Sequence, residues 1–187
     1  VNIGNLISSA KISSTLKGSQ LQIIQGDAGS ESVIPVFSLA DSISFSVIGS
    51  TVSPRITNGK TSQVLPRSRV FTVRWSGTRY LEGPETIIAV NHSGVSQRLR
   101  YGQIQVKAVK IPTGYRIAMT NSVRLADEYL WGISEMPSFW PIAALEAQAI
   151  ASRTYALSKA GVYKSACDCD LYGSISDQTF LGYAKEI

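Results

Sequence analysis

The sequence contains few of the residues from which metal sites and disulfide frameworks are built. Only one histidine and two cysteines occur among 187 residues. A structural zinc ion normally takes four nitrogen or sulfur ligands, and two cysteines are too few for a disulfide framework. No run of residues approaches the roughly 18 consecutive apolar positions of a membrane span. We therefore expect no metal, no cofactor and no membrane-spanning segment in this chain.

The two cysteines lie one residue apart, at Cys167 and Cys169. A bridge between them closes a very small ring and is strained relative to ordinary disulfide geometry. The sole histidine, His92, lies far from them in the sequence. Three states stay open: a free pair, a strained bridge, or two ligands of a metal. A structural or redox pair is favoured over a metal site.

Acidic residues are scarce in the first part of the chain. Residues 1–115 hold 12 Lys/Arg against 5 Asp/Glu, whereas residues 116–187 hold 6 against 8. The basic residues are scattered among strand and turn residues, which is typical of a solvated face. Binding of an anionic polymer is the alternative. Nucleic acid is not an expected partner, because the sequence has no recognition helix and no module of interleaved aromatic and basic residues.

Composition and pattern predict an α+β fold with a β-rich N-terminal half. A hydrophobic content of 44% and a charged content of 17% support a buried core. Short alternating runs separated by turn residues predict a small barrel, a sandwich or a curled sheet. Two hairpins are indicated, at Asn58-Gly59 and at Pro112-Thr113-Gly114. The serine-rich segment from Ser8 to Thr15 is expected to be a frayed terminus or an edge strand. The alternating runs are Leu21–Ile24, Ser42–Ile48, Val70–Trp75 and Glu85–Val90.

The character of the sequence changes after Thr120. Pro141 suits the first turn of a helix, with Ser138 or Trp140 as candidate caps, and Gly161 suits its end. The intervening residues are alanine-rich and apolar on more than one stripe, which predicts one long buried helix. Its polar members, Gln148 and Arg153, would then need hydrogen-bond or charge partners. We expect two units, a β-rich module at 1–97 and a second region at 98–187.

One carboxylate, Glu135, stands in a short apolar loop just before this helix. It is followed by Met136-Pro137 and surrounded in sequence by Trp131, Phe139 and Trp140. Desolvating a carboxylate is costly, so Glu135 is the first candidate for chemistry. Burial would raise its pKa, and the N-terminus of the following helix would lower it. On pattern alone, a loop acid bonded to backbone N–H groups is the alternative.

The segment Tyr129 to Leu157 resembles the core of the SpoIID/LytB family, which comprises stage II sporulation protein D and the amidase enhancers and acts on bacterial peptidoglycan. The resemblance is weaker back to Arg100-Tyr101-Gly102 and forward through Cys167 to Gln178, and the loop is short, as in actinobacterial relatives. The matching motifs are Tyr129-Leu130, Gly132-Ile133, Glu135-Met136-Pro137, Trp140-Pro141, Ala144-Leu145, Ala147-Gln148-Ala149 and Arg153-Thr154-Tyr155-Ala156.

The resemblance implies a secreted, extracytoplasmic lytic transglycosylase that cleaves peptidoglycan glycan strands, with Glu135 as acid and base. It also implies an N-acetylmuramoyl-L-alanine amidase as a partner. The alternative is a non-catalytic glycan-binding or amidase-enhancing module. Residues 98–187 would form the catalytic core, which in the family continues beyond a point like Ile187, so we expect this core to be incomplete. The candidate substrate-binding residues are Trp131, Ser134, Phe139, Trp140, Gln148, Arg153, Tyr172 and Gln178.

Overall fold

The computed structural model describes residues 1–16, 18–26, 32–33 and 41–185. Twelve strands within these ranges form two six-stranded antiparallel sheets. The first sheet has the order β1 (Asn2–Ile7), β12 (Gly114–Ser122), β11 (Gln103–Ile111), β8 (Val70–Trp75), β3 (Leu21–Gln25), β4 (Ser32–Val33). The second has the order β10 (Val95–Leu99), β9 (Ile88–His92), β2 (Ser9–Ser14), β5 (Ser42–Ile48), β6 (Thr51–Asn58), β7 (Thr61–Val64).

The core is one hydrophobic cluster to which both sheets contribute. Ile43 and Phe45 on β5 alternate with outward-facing serines, and Phe71 and Val73 on β8 are fully buried. The ring of Phe45 lies 6.4 Å from that of Phe71, which joins the two sheets. Alternation of apolar and polar residues explains why each sheet buries one face. The β-rich half is therefore confirmed as a two-sheet structure.

Both predicted hairpins are present. Asn58 pairs with Thr61 across a two-residue turn in which Gly59 has φ +55°. Positive φ in a tight turn is available to glycine without steric cost, which is why the Asn-Gly signal was informative. Ile111 likewise pairs with Gly114 at the tip of the long β11–β12 hairpin.

The serine-rich segment is neither frayed nor at an edge, so that expectation is wrong. Strand β2 pairs with β5 on one side and β9 on the other. Ala10 and Ile12 point into the core while Ser9 and Lys11 face outward. Two buried apolar residues hold the strand because the strands on both sides of it also bury apolar side chains.

A short helix, α1 (Glu128–Gly132), leads into a loop that precedes the long helix α2 (Ile142–Lys159). Asp127 caps α1 by accepting the Glu128 N–H. Gly161 has φ +80° just beyond α2, as the sequence predicted for its end. The N-cap of α2 is Pro141, with no side-chain cap, so neither Ser138 nor Trp140 has that role. A single-turn 3-10 helix follows at Gly182–Lys185.

The α+β class with one long helix is confirmed, but the expected burial of that helix is wrong. Only Ser152 and Ala156 of α2 are buried. The large apolar residues Ile142, Ile150 and Leu157 are 58–75% exposed. The prediction failed because the helix contacts the rest of the chain along a narrow stripe of small side chains. No helix in the described ranges is both long and apolar enough to span a bilayer.

The two halves of the sequence interleave in the sheets. Strand β1 pairs with β12, with Asn2 opposite Thr120, and β10 spans the expected boundary between residues 97 and 98. The core cluster runs from Ile3 to Phe180. The division into two units stays a prediction.

Candidate functional site

The loop between α1 and α2 is held by a segment near the end of the chain. The Ser134 N–H donates to the Thr179 carbonyl at 2.9 Å, and the Leu181 N–H donates to the Gly132 carbonyl at 2.8 Å. Ile133 and Phe180 form an isolated antiparallel bridge between these bonds. The loop therefore behaves as a short strand whose position depends on residues 179–181.

A cleft of about 490 Å³ opens between this loop, α1 and the first half of α2. Glu135 is its one carboxylate among the described lining residues, and Gln148 faces it from α2. Trp131 forms a wall with Tyr101, whose ring lies 5.1 Å away at an interplanar angle of 51°. The described lining residues are Tyr101, Leu130, Trp131, Ile133, Glu135, Met136, Ser138, Leu145, Gln148, Ala149 and Ser152.

The Glu135 carboxylate is exposed at the cleft. Its Oε1 accepts a hydrogen bond from the Thr179 N–H, whereas Oε2 has no hydrogen-bond partner in the described part of the chain. One oxygen is thus oriented by a backbone donor, and the other is free to meet a ligand. The three aromatics near Glu135 in the sequence, Trp131, Phe139 and Trp140, are themselves exposed and do not bury it.

A buried aromatic pair supports the loop from behind. The rings of Tyr129 and Phe180 stack at 5.8 Å with planes only 6° apart. The Tyr129 hydroxyl donates to Gln178 Oε1 at 2.7 Å. Burial raises the pKa of Tyr129 well above its ordinary value, and the negative charges of Asp177 and Glu135 raise it further. Tyr129 therefore stays protonated and keeps donating to Gln178.

Asp177 ties the terminal segment to α2. It accepts hydrogen bonds from the Tyr155 hydroxyl at 2.7 Å and the Tyr172 N–H at 2.8 Å, and Lys164 lies 3.3 Å away. Burial pushes the pKa of Asp177 upward, but these three partners outweigh it and lower the pKa below its ordinary value. The carboxylate is thus held ionised and fixes the segment two residues before Thr179.

Comparison with known proteins finds one family model, and it matches the part of the chain that contains the Glu135 loop and α2. Residues 114–187 match the family model described as SpoIID, stage II sporulation protein. These residues belong to the SpoIID family. No curated protein and no solved structure matches the chain. The SpoIID match covers β12, both helices and every residue named above except Tyr101, and it indicates a sporulation-type protein connected with the cell wall.

Three of the candidate residues line the cleft: Trp131, Glu135 and Gln148. Ser134 contributes a backbone hydrogen bond to Thr179 next to the cleft. Gln148 donates to Ser152 Oγ at 2.9 Å within its own helix, so its expected need for a partner is met locally.

The other candidates are not among the residues that line the cleft. Phe139 is 85% exposed, Trp140 is exposed, and Arg153 lies on the solvent side of α2, so the expectation that Arg153 needs a buried partner is wrong. Gln178 is buried behind the loop, where it supports Tyr129. The Lys164 ammonium lies over the ring of Tyr172, and the Tyr172 N–H donates to Asp177.

Tyr101 lines the cleft but was not among the candidate residues selected from the sequence. It precedes the SpoIID match by a dozen residues and reaches the cleft because β11 begins just after it. The motif Arg100-Tyr101-Gly102 was the available signal. Its Gly102 has φ +105°, and a Cβ there would lie 2.1 Å from Asn121 Oδ1, so only glycine allows this close turn.

Cys167 and Cys169 form a disulfide, which settles the three alternatives in favour of the bridge. Both cysteines are buried. Between them Asp168 accepts hydrogen bonds from Gln105, Lys107 and Tyr163, two of which lie on β11. The bridge therefore belongs to a compact loop anchored on the first sheet, away from the cleft.

Proposed function

We propose that the SpoIID region is a lytic transglycosylase that cleaves peptidoglycan glycan strands between N-acetylmuramic acid and N-acetylglucosamine. The observation that carries the proposal is the position of Glu135. It is the carboxylate of a cleft that also offers an aromatic wall, Trp131 with Tyr101, and an amide, Gln148. Aromatic faces and amide groups suit sugar rings and N-acetyl groups.

The reaction uses one carboxylic acid in two steps. Protonated Glu135 donates its proton to the bridging glycosidic oxygen as the bond to C1 of the muramic acid breaks. The resulting carboxylate then takes the proton of the C6 hydroxyl of the same sugar, and that oxygen bonds to C1. A 1,6-anhydro ring forms, no water is consumed, and Glu135 ends protonated again.

The hydrogen-bond pattern of Glu135 is consistent with these two roles. Thr179 holds Oε1 through its N–H, so the free Oε2 is the oxygen that carries the proton. A hydrolase of the usual kind places two carboxyl groups on opposite sides of the scissile bond. Among the described residues lining the cleft only one is acidic, which favours the anhydro product over hydrolysis.

The test is Glu135→Gln, assayed on purified peptide-free glycan strands with product ends identified by mass spectrometry. We expect anhydro-muramic ends from the wild type and a loss of about 10²–10⁴-fold in the variant, the usual range for a general acid–base residue. The matched control is Glu146→Gln on α2, which removes the same charge at an exposed site. Equal activity in the two variants would contradict the assignment of Glu135 as the catalytic acid and base.

The second candidate is a non-catalytic glycan-binding or amidase-enhancing module. It is favoured by the exposure of Glu135, since no described residue covers it and excludes water. This candidate predicts that wild type and Glu135→Gln both bind glycan strands and that neither yields anhydro ends. The product analysis above separates the two.

An extracytoplasmic location is part of the proposal, because the substrate lies outside the cytoplasm. The disulfide between Cys167 and Cys169 supports it, since disulfides persist in oxidising compartments.

A further inference from the structure

The outer face of the second sheet forms a groove of about 830 Å³ that is distinct from the Glu135 cleft. Strands β2, β5, β6, β9 and β10 all contribute to it. The face carries six serines, and Lys11, Arg55 and Arg67 are its exposed cations. The serines are Ser9, Ser44, Ser46, Ser53, Ser93 and Ser96.

Strand register aligns the polar residues into a row across the sheet. Lys11 is opposite Asn91 on one side and Ser44 on the other. Ser44 is in turn opposite Arg55, and Asn91 is opposite Ser96. The row Ser96–Asn91–Lys11–Ser44–Arg55 therefore crosses five strands. At about 4.8 Å per strand, Lys11 and Arg55 stand about 10 Å apart and the whole row extends about 19 Å.

No carboxylate in the described ranges pairs with the cations of this groove. Lys11, Arg55 and Arg67 make no ion pair or side-chain hydrogen bond with any residue in the described ranges, and no described lining residue is acidic. The nearest strand-end carboxylate, Asp41, is committed to the Gly59 N–H at 2.6 Å. Unpaired like charges on one face produce a positive field that attracts an anion from solution.

We propose that this groove binds an anionic glycan strand, a polysaccharide that bears carboxylate groups along its length. Lys11, Arg55 and Arg67 pair with the carboxylates, and the rows of serine hydroxyls and Asn91 bond the sugar hydroxyls. The apolar side chains of Ile48, Val64 and Val95 at the rim contact the apolar faces of the rings. A bare polyphosphate can use the cations and the hydroxyl donors, but it has no apolar ring faces for Ile48, Val64 and Val95 to contact.

A second groove leads from this face toward the Glu135 loop. It has a volume of about 550 Å³ and shares Val95 and Ser96 with the basic groove. Its other side includes Phe180 and Leu181, next to the residue that holds Glu135. The two grooves meet at Val95 and Ser96 and so present one extended surface, which favours a polymer over a small anion as the ligand.

The test measures binding of peptide-free glycan strands, whose muramic residues carry carboxylates, to the full chain with Glu135→Gln in the background so that no strand is cut. We expect Lys11→Gln with Arg55→Gln to weaken binding roughly 3- to 30-fold at low salt, from two exposed charge contacts. The matched control is Lys110→Gln with Arg69→Gln, two exposed cations of which the first lies on β11 and the second just before β8. This control should bind as well as the parent, and added salt should weaken the parent more than the groove variant.

Three outcomes overturn the proposal. The first is equal weakening in both double variants, which means general attraction to a basic protein. The second is unchanged binding in the groove variant. The third is equal or tighter binding of chitin oligosaccharides, polyglycerol phosphate or duplex DNA by the parent. Because the readout is binding, the proposal stands or falls separately from cleavage at Glu135.

Discussion

Gly132 is the residue on which the shape of the cleft depends most directly. It ends α1, one residue after Trp131 and three before Glu135, and its carbonyl accepts the Leu181 N–H. A Cβ at this position would lie 2.3 Å from Phe180 Cε2, which no side chain tolerates without displacement. The absence of a side chain at residue 132 thus lets the terminal segment approach the loop.

We predict that Gly132→Ala lowers the free energy of unfolding by about 1–3 kcal/mol, the usual cost of overpacking a filled interior. It should also reduce glycan cleavage, because a displaced Phe180 moves Thr179 away from Glu135. Denaturant unfolding and the product assay measure the two effects. In Gly132→Ala with Phe180→Leu the smaller side chain should restore part of the stability. Full stability in the single variant would contradict the close approach seen here.

At the residue scale, the sequence located Glu135 but not its partners. Its setting in an apolar loop before an alanine-rich helix was enough to select it. The Thr179 N–H that orients it lies 44 residues later, and no local pattern predicts a hydrogen bond between two irregular segments. Gln178 was proposed as a substrate-binding residue because it matches a family position, and in the structure its Oε1 accepts the Tyr129 hydroxyl.

At the scale of elements, the junction between α2 and the segment 172–181 depends on Asp177. Tyr155 belongs to the helix, Tyr172 and Lys164 to the loops, and all three meet on one carboxylate. Because its pKa is lowered in the folded chain, the stability it contributes is fully present above its unfolded pKa of about 3.9. That stability is lost as pH falls through the lower folded pKa.

We predict that Asp177→Asn destabilises the protein by about 1–3 kcal/mol near neutral pH, since it removes the charge that the half-buried Tyr155 and Lys164 side chains contact. The difference from wild type should begin to shrink as the pH falls below about 4, where Asp177 of the unfolded wild-type chain becomes protonated, and should continue to shrink as the pH falls through the lower folded pKa. Denaturant titrations across this range measure it. Tyr155→Phe, which removes one donor, serves as the milder comparison, and a difference that is constant with pH would contradict the role of the charge.

The elements themselves were predictable to different degrees. The hairpins predicted at Asn58-Gly59 and at Pro112-Thr113-Gly114 were correct, because the residues of a turn themselves determine whether it forms. The bounds of α2 were also correct at its end. The predicted burial of α2 was wrong. An alanine-rich apolar pattern shows that a helix can be buried, but whether other elements cover Ile150 and Leu157 depends on the tertiary structure.

At the scale of the molecule, one core joins the sheets to the site. Tyr129, Ala156 and Phe180 belong to the same hydrophobic cluster as the strand residues Ile12 and Phe71. Breaking the site region away would therefore expose the end of the sandwich. Pairing between β1 and β12 could not be predicted from the sequence, because local patterns do not show which distant strands pair.

We predict a single cooperative unfolding transition for the whole chain. Trp75 lies in the core, Trp131 lines the cleft and Trp140 is exposed in the loop before α2. A variant with Trp131→Phe and Trp140→Phe reports the sheets alone by fluorescence, and far-ultraviolet circular dichroism reports α2 as well. Coincident midpoints are the expected result for one cooperative unit. Two separated transitions would instead favour independent units at 1–97 and 98–187.

The edge strand β1 has a kinetic consequence. Asn2 donates to the Leu171 carbonyl and accepts from the Gly173 N–H, and its neighbours pair with β12. Such long-range closures are slow because chain entropy must be lost before any contact compensates for it. During synthesis the segment Asn2–Ile7 must therefore wait, unpaired, until β12 has left the ribosome, and the bonds of Asn2 to Leu171 and Gly173 form later still. The cleft around Glu135 is completed only after residues 179–181, which hold its loop, have been synthesised.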